Sequence, residues 1–246
     1  MDVATRPRAF VRVAGPDACD YLQRMVSNDV AALAVGQACP ALLLTATARV
    51  IAPLVVWRRG EHDFLVLTEP DLGEPVRALL ARMRLRATCE IEPEEHEAAL
   101  VFGDDVVGFA TDFPGAREVV DGGLAATIDA VELEARRIAA GIPRWGREID
   151  DRVMPAEAGL ESSHISFDKG CYPGQEPIAR LHYRGHPNRA LRVLRLDEVP
   201  PYDTELLHEG KVVGRVTSAV RQGDGSVVAL AYVRVEVPAD AELALG

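Results

Sequence analysis

Three short apolar runs, rich in Val, Ile and Leu, follow one another in the first third of the chain and constrain its fold most strongly. They span residues 41–47, 50–58 and 64–68, lengths that are typical of β-strands. Each is far shorter than the roughly 20 residues that a transmembrane helix needs. Apolar residues recur at helical spacing before and after these runs, in 17–28 and 71–84. The sequence therefore predicts a mixed fold of helices and strands.

The second half of the chain has a different organisation. Asp129 is placed to cap a third helix that ends near residue 141. From 144 to 187 the periodicity is lost, which predicts a long irregular segment of the kind that often carries function. Short strand-like runs then return up to the end of the chain. We therefore expect an α+β unit over residues 1–187 and a small all-β unit over residues 188–246.

Composition and charge narrow the functional class. The net charge of −11 argues against a general nucleic-acid binder, which needs a basic face for the phosphates. The N-terminal residues alternate charged and apolar side chains and lack a signal-peptide core. The cysteines are far apart and form no C-x-x-C pair, so neither a zinc site nor a disulfide framework is predicted. We expect a cytoplasmic protein that does not contact a membrane. The cysteines are Cys19, Cys39, Cys89 and Cys171.

The segment Lys-Gly-Cys-Tyr-Pro-Gly-Gln-Glu at residues 169–176 carries the clearest chemical signal. Its glycines allow tight backbone turns. A neighbouring ammonium group, that of Lys169, favours the reactive thiolate form of Cys171. Gln175 and Glu176 offer an amide and a carboxylate to a polar ring edge. The alternative is a buried, inert cysteine in an ordinary turn.

A local basic region surrounds this segment. Residues 164–195 contain six Lys or Arg and two acidic residues, which gives this stretch a formal charge of +4. Because the whole chain has a net charge of −11, the remaining residues carry −15. A basic cleft on an acidic protein suits a small anion, and arginine binds carboxylates with two parallel hydrogen bonds. The basic residues are Lys169, Arg180, Arg184, Arg189, Arg192 and Arg195.

Aromatic residues and histidines near the segment have alternative interpretations. His182 and His186 are four positions apart, as helical metal ligands can be, but Gly185 and Pro187 argue against a helix there, so surface packing is favoured. Trp145 either lines a pocket or is packed in the fold.

The segment 169–176 resembles the K-G-C-[FY]-x-G-Q-E signature of YgfZ-type proteins, which belong to the aminomethyltransferase-like superfamily of the glycine cleavage T-protein. The flanking stretches 141–146 and 178–185 also resemble that family. So do the opening stretch 15–30 and the stretch 214–218, and the resemblance covers nearly the whole chain.

The resemblance implies a fold of three subdomains around a central hole that accepts tetrahydrofolate or a derivative, with a small C-terminal β-barrel. It also implies a role in iron–sulfur cluster assembly or repair, with indirect effects on tRNA modification. Partners would be iron–sulfur assembly proteins or client enzymes. Cys171 and Lys169 would carry the chemistry. The residues expected to contact folate are Trp145, Gly170, Tyr172, Gly174, Gln175, Glu176, Arg180 and Arg184.

The chain departs from true aminomethyltransferases at one important place. In the resemblance, Ala52 and Pro53 occupy the positions of acidic residues that include the catalytic aspartate, and Ala139 replaces a folate-contacting glutamate. Without that carboxylate, proton transfer at a folate nitrogen loses its agent. Three hypotheses follow: iron–sulfur maintenance through Cys171, a folate-dependent one-carbon transferase or demethylase, and a folate-sensing scaffold without thiol chemistry.

Overall fold

The computed structural model describes residues 1–104 and 106–246, which contain antiparallel sheets joined by short helices. The strands are β1 (Asp2–Thr5), β2 (Ala9–Ala14), β3 (Ala38–Leu44), β4 (Val50–Gly60), β5 (Asp63–Thr68), β6 (Glu90–Glu94), β7 (Ala98–Phe102), β8 (Phe109–Ala110), β9 (Ala116–Val120), β10 (Arg189–Leu196), β11 (Glu205–His208), β12 (Lys211–Arg221), β13 (Val227–Arg234) and β14 (Ala244–Leu245). The helices are α1 (Ala18–Met25), α2 (Gly73–Met83), α3 (Ala130–Ala139), α4 (Glu161–His164) and α5 (Gln175–Arg184), with a 3₁₀ turn at Pro70–Leu72.

The first sheet forms the centre of the N-terminal half. Its strand order is β3-β4-β5-β2-β6, and all neighbours are antiparallel. The three apolar runs of the sequence became β3, β4 and β5, as predicted. Helix α1 buries the apolar side of its stripe, including Tyr21 and Leu22, in the core. The Tyr21 hydroxyl donates to the carbonyl of Leu80 in α2 at 2.6 Å, which ties the two helices together.

The second sheet has the order β1-β7-β9-β8 and packs beside helix α3. Asp129 caps α3 as predicted, since its carboxylate accepts a hydrogen bond from the Glu132 amide at 2.8 Å. The helix ends at Ala139, followed by Gly141 in the left-handed region at φ 72°.

The C-terminal strands form a sheet of their own, in the order β10-β13-β12-β11-β14. A buried polar network joins this sheet to α3. The Glu148 carboxylate accepts hydrogen bonds from Arg137 at 3.0 Å and from the Ser218 hydroxyl at 2.7 Å. The Tyr232 hydroxyl donates to the Glu148 carbonyl at 2.7 Å. These contacts fix the third sheet against the rest of the chain.

The prediction of an irregular segment over 144–187 was wrong in one respect, because two helices, α4 and α5, lie within it. Helix α5 includes His182, where the neighbouring Gly185 and Pro187 argued against a helix. The helix ends at Arg184, before Gly185 and Pro187, and Pro177 lies in its first turn, where proline is tolerated. These residues therefore bound the helix and do not break it. Gly174 precedes it with φ 83°, a conformation that glycine adopts without strain.

Across the described residues, none of the helices combines the length and the apolar character that a membrane span requires.

Candidate functional site

A cavity of about 240 Å³ lies between the first and second sheets and the segment that follows α3. Its wall combines residues from the turn after β1, from β3 and β4, from the strands of the second sheet and from α4. The wall includes Arg6, Arg8, Pro53, Glu69, Asp112, Phe113, Glu118, Ser163 and His164.

Arg8 and Glu118 form the main ion pair of this wall. Arg8 Nε and Nη2 donate to the two carboxylate oxygens of Glu118 at 2.8 and 2.9 Å. Their side chains are only 8% and 2% exposed. Burial alone would raise the pKa of Glu118, but the Arg8 charge and hydrogen bonds hold it below its ordinary value. The pair therefore stays ionised inside the protein.

Arg6 presents an unused hydrogen-bond donor at the same wall. Its Nε is buried and has no hydrogen-bond partner among the described residues. The guanidinium lies 5.7 Å from the centre of the Phe113 ring, and Nη2 is 3.7 Å from the Glu69 carboxylate. Burial lowers the pKa of Arg6 to about 10, so it remains cationic at neutral pH. Since that atom is closed to solvent, a ligand in the cavity would meet the rest of the Arg6 side chain, which is 22% exposed.

His164 adds a polar ring to the cavity. Its Nδ1 is 2.7 Å from the Ser163 hydroxyl, and its Nε2 is 3.8 Å from the Asp112 carboxylate. Burial lowers the pKa of His164, although the Asp112 charge opposes the shift. A largely neutral imidazole is therefore available to donate or accept one hydrogen bond.

The wall carries a proline where the resemblance places an acidic residue of the transferases. Pro53 in β4 lines the cavity, whereas Ala52 points into the core and is fully buried. Neither side chain binds a proton. Ala139 lies exposed at the end of α3. Of the three positions that differ from the aminomethyltransferases in the sequence comparison, Pro53 therefore lies in the cavity wall.

The turn that contains Cys171 is anchored from both sides. The Lys169 ammonium donates to the carbonyls of Gln23, Val26 and Asn28 at 2.6, 2.7 and 2.8 Å, and so caps the end of α1. Burial lowers the pKa of Lys169 to about 8, while the charge of Asp29 opposes the shift.

The residues after the cysteine complete this anchoring. Tyr172 is buried in the cluster under β3 and β4. A Cβ on Gly174 would lie 2.5 Å from the Thr45 carbonyl oxygen, so only glycine fits there. Gly170 and Cys171 remain exposed between the anchored residues. The fold thus presents the thiol to solvent on a fixed backbone.

Burial distinguishes the other three cysteines from Cys171. Burial raises the pKa of Cys39 to about 12, and it also raises the pKa of Cys19 and of Cys89. Each of these thiols packs against the core of the first sheet. These surroundings agree with a structural role for the three cysteines.

The remaining predicted site residues lie along α5 or beside the core. Gln175 and Glu176 form the first turn of α5, and Arg180 and Arg184 are exposed further along it. Trp145 is partly buried and packs against the core. The structure therefore brings the cysteine turn and α5 together, but it places these residues outside the wall of the 240 Å³ cavity. Their roles toward folate stay predictions.

His182 takes part in an aromatic cluster on α5. Its ring stacks on Phe167 with centroids 3.9 Å apart, and the Tyr183 ring meets both edge-on. His186 lies beyond the end of the helix. This arrangement agrees with the packing interpretation of His182.

The charged residues of the cavity wall were missed by sequence reasoning. Arg8 and Glu118 are 110 positions apart, and nothing in the sequence pairs them. The two arginines on either side of Pro7 were the only local signal. His164 falls at the edge of the basic region, but its burial depends on tertiary packing.

Comparisons with known proteins identify relatives of this chain. Residues 2–101 match the GCVT N-terminal domain family. The tRNA-modifying protein YgfZ of Yersinia pseudotuberculosis is 25% identical over 283 aligned residues, covering 96% of this chain and 84% of that protein. The protein of the same name from Edwardsiella ictaluri is 37% identical over 122 residues, 47% of this chain and 37% of that protein.

The fold is also found among solved structures. The glycine cleavage system aminomethyltransferase T of Bartonella henselae superposes with a TM-score of 0.81 at 18% identity, over 99% of this chain and 81% of that one. The identity is low enough that the match speaks for the fold alone.

Proposed function

We propose that this chain is a YgfZ-like member of the glycine cleavage T-protein superfamily. In this proposal it is a folate-binding protein that supports iron–sulfur cluster assembly or repair in the cytoplasm, and through it tRNA modification. Cys171 is the reacting group in this proposal. The folate ring system binds in the 240 Å³ cavity.

One observation carries the proposal: a buried scaffold holds an exposed thiol. The Lys169 ammonium donates three hydrogen bonds to backbone carbonyls. The buried Tyr172 ring and the close approach of Gly174 to the Thr45 carbonyl fix the residues that follow. The exposed side chain between them belongs to Cys171. A fixed, accessible thiol suits a transient bond to a cluster or to a partner protein. One cysteine is too few for an independent cluster site, so a second chain or small thiols supply the other ligands.

The cavity wall fits the ring system of a folate. A pterin edge alternates hydrogen-bond donors and acceptors, and the wall offers the Arg6 guanidinium, the His164 ring and the Asp112 carboxylate. Phe113 provides an apolar face. The volume of 240 Å³ is below the roughly 300–1,000 Å³ of sites that enclose a whole drug-sized ligand, so the rest of the molecule extends outward. When bound, a reduced folate supplies a carrier for one-carbon groups.

The wall weighs against the transferase hypothesis. Pro53 stands where that reaction needs an acidic side chain, and the buried carboxylate of the wall, that of Glu118, is already held by two hydrogen bonds from Arg8. Turnover of a methylated amine with tetrahydrofolate by the purified protein would restore the transferase hypothesis.

Complementation tests the thiol. Cells that lack their own YgfZ protein receive this chain, its Cys171→Ser variant, or the Cys89→Ser control, whose thiol is buried. We expect wild type and control to restore iron–sulfur enzyme activity and modified tRNA, and Cys171→Ser to fail at equal protein level. Full rescue by Cys171→Ser would leave the folate-sensing scaffold as the better hypothesis.

Calorimetric titration tests the ligand. Tetrahydrofolate is titrated into wild type and into Arg6→Met, which removes a guanidinium from the cavity wall. Loss of one charge-assisted hydrogen bond should weaken binding by roughly tenfold or more. Absence of measurable heat with any reduced folate would overturn the folate assignment.

A further inference from the structure

We propose that the exposed side of α5 is a docking surface for an acidic protein, and that this protein is the partner whose reactive group meets Cys171. The surface, the α5 face, consists of Arg180, Tyr183 and Arg184, which lie on one side of the helix because they are three and four positions apart. This inference rests on the proposed function and names the chemistry of the partner.

The two arginines of the α5 face are free to bind. Arg180 and Arg184 are exposed, and neither forms a hydrogen bond or an ion pair with any residue that the structure describes. Glu176, the acidic residue in the first turn of α5, precedes Arg180 by one turn but is not within ion-pair distance of it. Both guanidiniums can therefore take the two-pronged geometry that a carboxylate prefers.

The arginines that follow along the chain are engaged in the fold. Arg189 donates to the Glu157 carboxylate at 3.2 Å, and Arg192 donates to the Val237 carbonyl at 2.6 Å. Each of these contacts holds β10 to a neighbouring segment. The free arginines of α5 thus have a surroundings that the two structural arginines of β10 do not.

The charge distribution favours an acidic protein as the occupant. Residues 177–196 contain five arginines and no Asp or Glu, a formal charge of +5, so the remaining residues of this −11 chain carry −16. An acidic partner is repelled by most of the protein and attracted to this stretch, which restricts the way it can dock. A nucleic acid needs a longer basic track along its phosphates than so small a basic area provides.

Tyr183 gives the α5 face an aromatic anchor. Its side chain is 69% exposed, yet its ring is held edge-on against His182 and Phe167, with centroids 4.9 and 6.2 Å away. The other strongly exposed tyrosine among the described residues, Tyr202, lies under the Arg147 guanidinium. An exposed tyrosine between two arginines has the composition that is enriched at the energetic centres of protein interfaces.

The α5 face lies close to the thiol in the chain. Helix α5 begins at Gln175, four positions after Cys171, and its ten residues span about 15 Å. The close approach of Gly174 to the Thr45 carbonyl fixes the turn between them. An interface of ordinary size, about 800 Å² on each partner, is wide enough to include both the helix and the turn.

This assignment differs from the one that the sequence suggested. Arg180 and Arg184 were expected to hold anionic parts of folate, but they lie outside the wall of the 240 Å³ cavity. Substitution separates the two assignments, because only one of them makes the affinity for folate depend on these arginines.

The binding experiment uses a fluorescent helical peptide with glutamates four positions apart around a leucine, measured by anisotropy. Arg180→Glu/Arg184→Glu should weaken binding about tenfold or more, because repulsion replaces attraction, and Tyr183→Ala should weaken it about threefold. The control Arg82→Glu/Arg86→Glu, two exposed arginines with the same spacing, should bind as wild type. Raising the salt to about 0.5 M should weaken wild-type binding, because exposed charges are screened.

A single-stranded RNA with the same number of charges is the second probe. Wild type should bind the peptide at least about tenfold more tightly than this RNA. Tighter binding of the RNA, lost in the charge-reversed variant, would overturn the inference in favour of a nucleic-acid surface. Peptide binding that is equal in wild type and in the charge-reversed variant would overturn it as well.

The cellular experiment links the α5 face to the thiol. In cells that lack their own YgfZ protein, wild type and the Arg82/Arg86 control should restore iron–sulfur enzyme activity, and Arg180→Glu/Arg184→Glu should fail at equal protein level. The purified charge-reversed variant should keep the wild-type affinity for tetrahydrofolate and the wild-type rate of iodoacetamide reaction at Cys171.

The outcomes are distinct. Failure of wild type to restore activity overturns the proposed function, whereas full rescue by the charge-reversed variant overturns this inference alone. Loss of tetrahydrofolate binding in that variant returns Arg180 and Arg184 to the folate site and also overturns it. If the variant fails to fold, Arg180→Gln/Arg184→Gln, which adds no repulsion, should lose at least half of the peptide affinity, and full affinity there counts against the inference.

Discussion

Arg8 and Glu118 face each other across the wall of the central cavity and share two hydrogen bonds, 2.8 and 2.9 Å long, although 110 positions separate them in the chain. Arg8 lies in the turn before β2, and Glu118 lies in β9 of the second sheet. The pair therefore joins two sheets at the place where the ligand is proposed to bind.

The first prediction concerns the stability that depends on this pair. Arg8→Met leaves a buried carboxylate without a partner and should lower the free energy of unfolding by about 3–5 kcal/mol. Replacing both residues, as Arg8→Met/Glu118→Leu, should lower it much less, because no lone charge remains. Urea denaturation of both variants and of Glu118→Leu measures the difference. Equal losses in the double and single variants would contradict this account.

The second prediction concerns the cysteine turn. Gly174 and Gly159 have similar φ angles, 83° and 73°, but only at Gly174 would a Cβ meet a backbone atom, at 2.5 Å. Gly159→Ala should therefore show only the left-handed penalty of about 1 kcal/mol. Gly174→Ala should lose about 3 kcal/mol or more, since the clash adds to that penalty. Thermal unfolding compares the two variants. Similar losses of stability would show that the backbone around residue 174 moves to accommodate the added methyl group.

The third prediction concerns thiol accessibility. Cys171 is exposed, whereas Cys89 is buried and Cys19 and Cys39 are partly buried against the core. A brief treatment of the native protein with iodoacetamide should therefore modify Cys171 first. Peptide mass spectrometry measures the modified fraction of each site, and unfolding in urea should equalise them. Faster reaction at any other cysteine in the native protein would place Cys171 in a less accessible position than described.

The fourth prediction concerns pH. His96 lies between Glu94 and Asp121, with its ring nitrogens 2.8 and 2.6 Å from their carboxylates. Burial lowers the pKa of His96, but the two carboxylates outweigh it and raise the pKa above its ordinary value of 6.5. The folded state therefore holds this proton more tightly than the unfolded state, and the resulting stability is fully present below about pH 6.5. It is lost as the pH rises through the raised value.

The measurement compares thermal midpoints of wild type and His96→Gln. The advantage of wild type should be larger at pH 6 than at pH 8.5. His62→Gln, at an exposed histidine, serves as the control and should change little at either pH. An advantage that grows toward high pH would contradict the assignment of a charged His96.

Local sequence patterns predicted the strands β3, β4 and β5 of the first sheet, because they are short apolar runs bounded by turns, but they did not predict β2. The cap at Asp129 was also visible, since it depends on residues that are neighbours in sequence. Helix α5 was not predicted, because Gly185 and Pro187 argued against a helix although both lie beyond its end at Arg184.

The cysteine segment of the candidate site was visible in the sequence, whereas the cavity wall was not. The segment around Cys171 stood out because its glycines, lysine and cysteine are contiguous. The anchoring of Lys169 by three carbonyls of residues 23–28 was not visible, since those groups belong to the backbone of a distant helix end. The cavity wall was missed for a similar reason: Arg6, Arg8, Glu118 and His164 come from four separate parts of the chain and meet only after the sheets have assembled.

The network at Glu148 has a consequence for how this protein can be divided. Arg137 from α3 and Ser218 from β12 both bind its carboxylate, and Tyr232 from β13 binds its carbonyl. A polypeptide cut before β10 would keep Glu148 and Arg137 but lose both hydroxyl groups and the sheet that covers them. The C-terminal sheet therefore covers a buried polar network and is held to the rest of the protein by these hydrogen bonds. A protein truncated before β10 should be unstable and should be degraded in the cell.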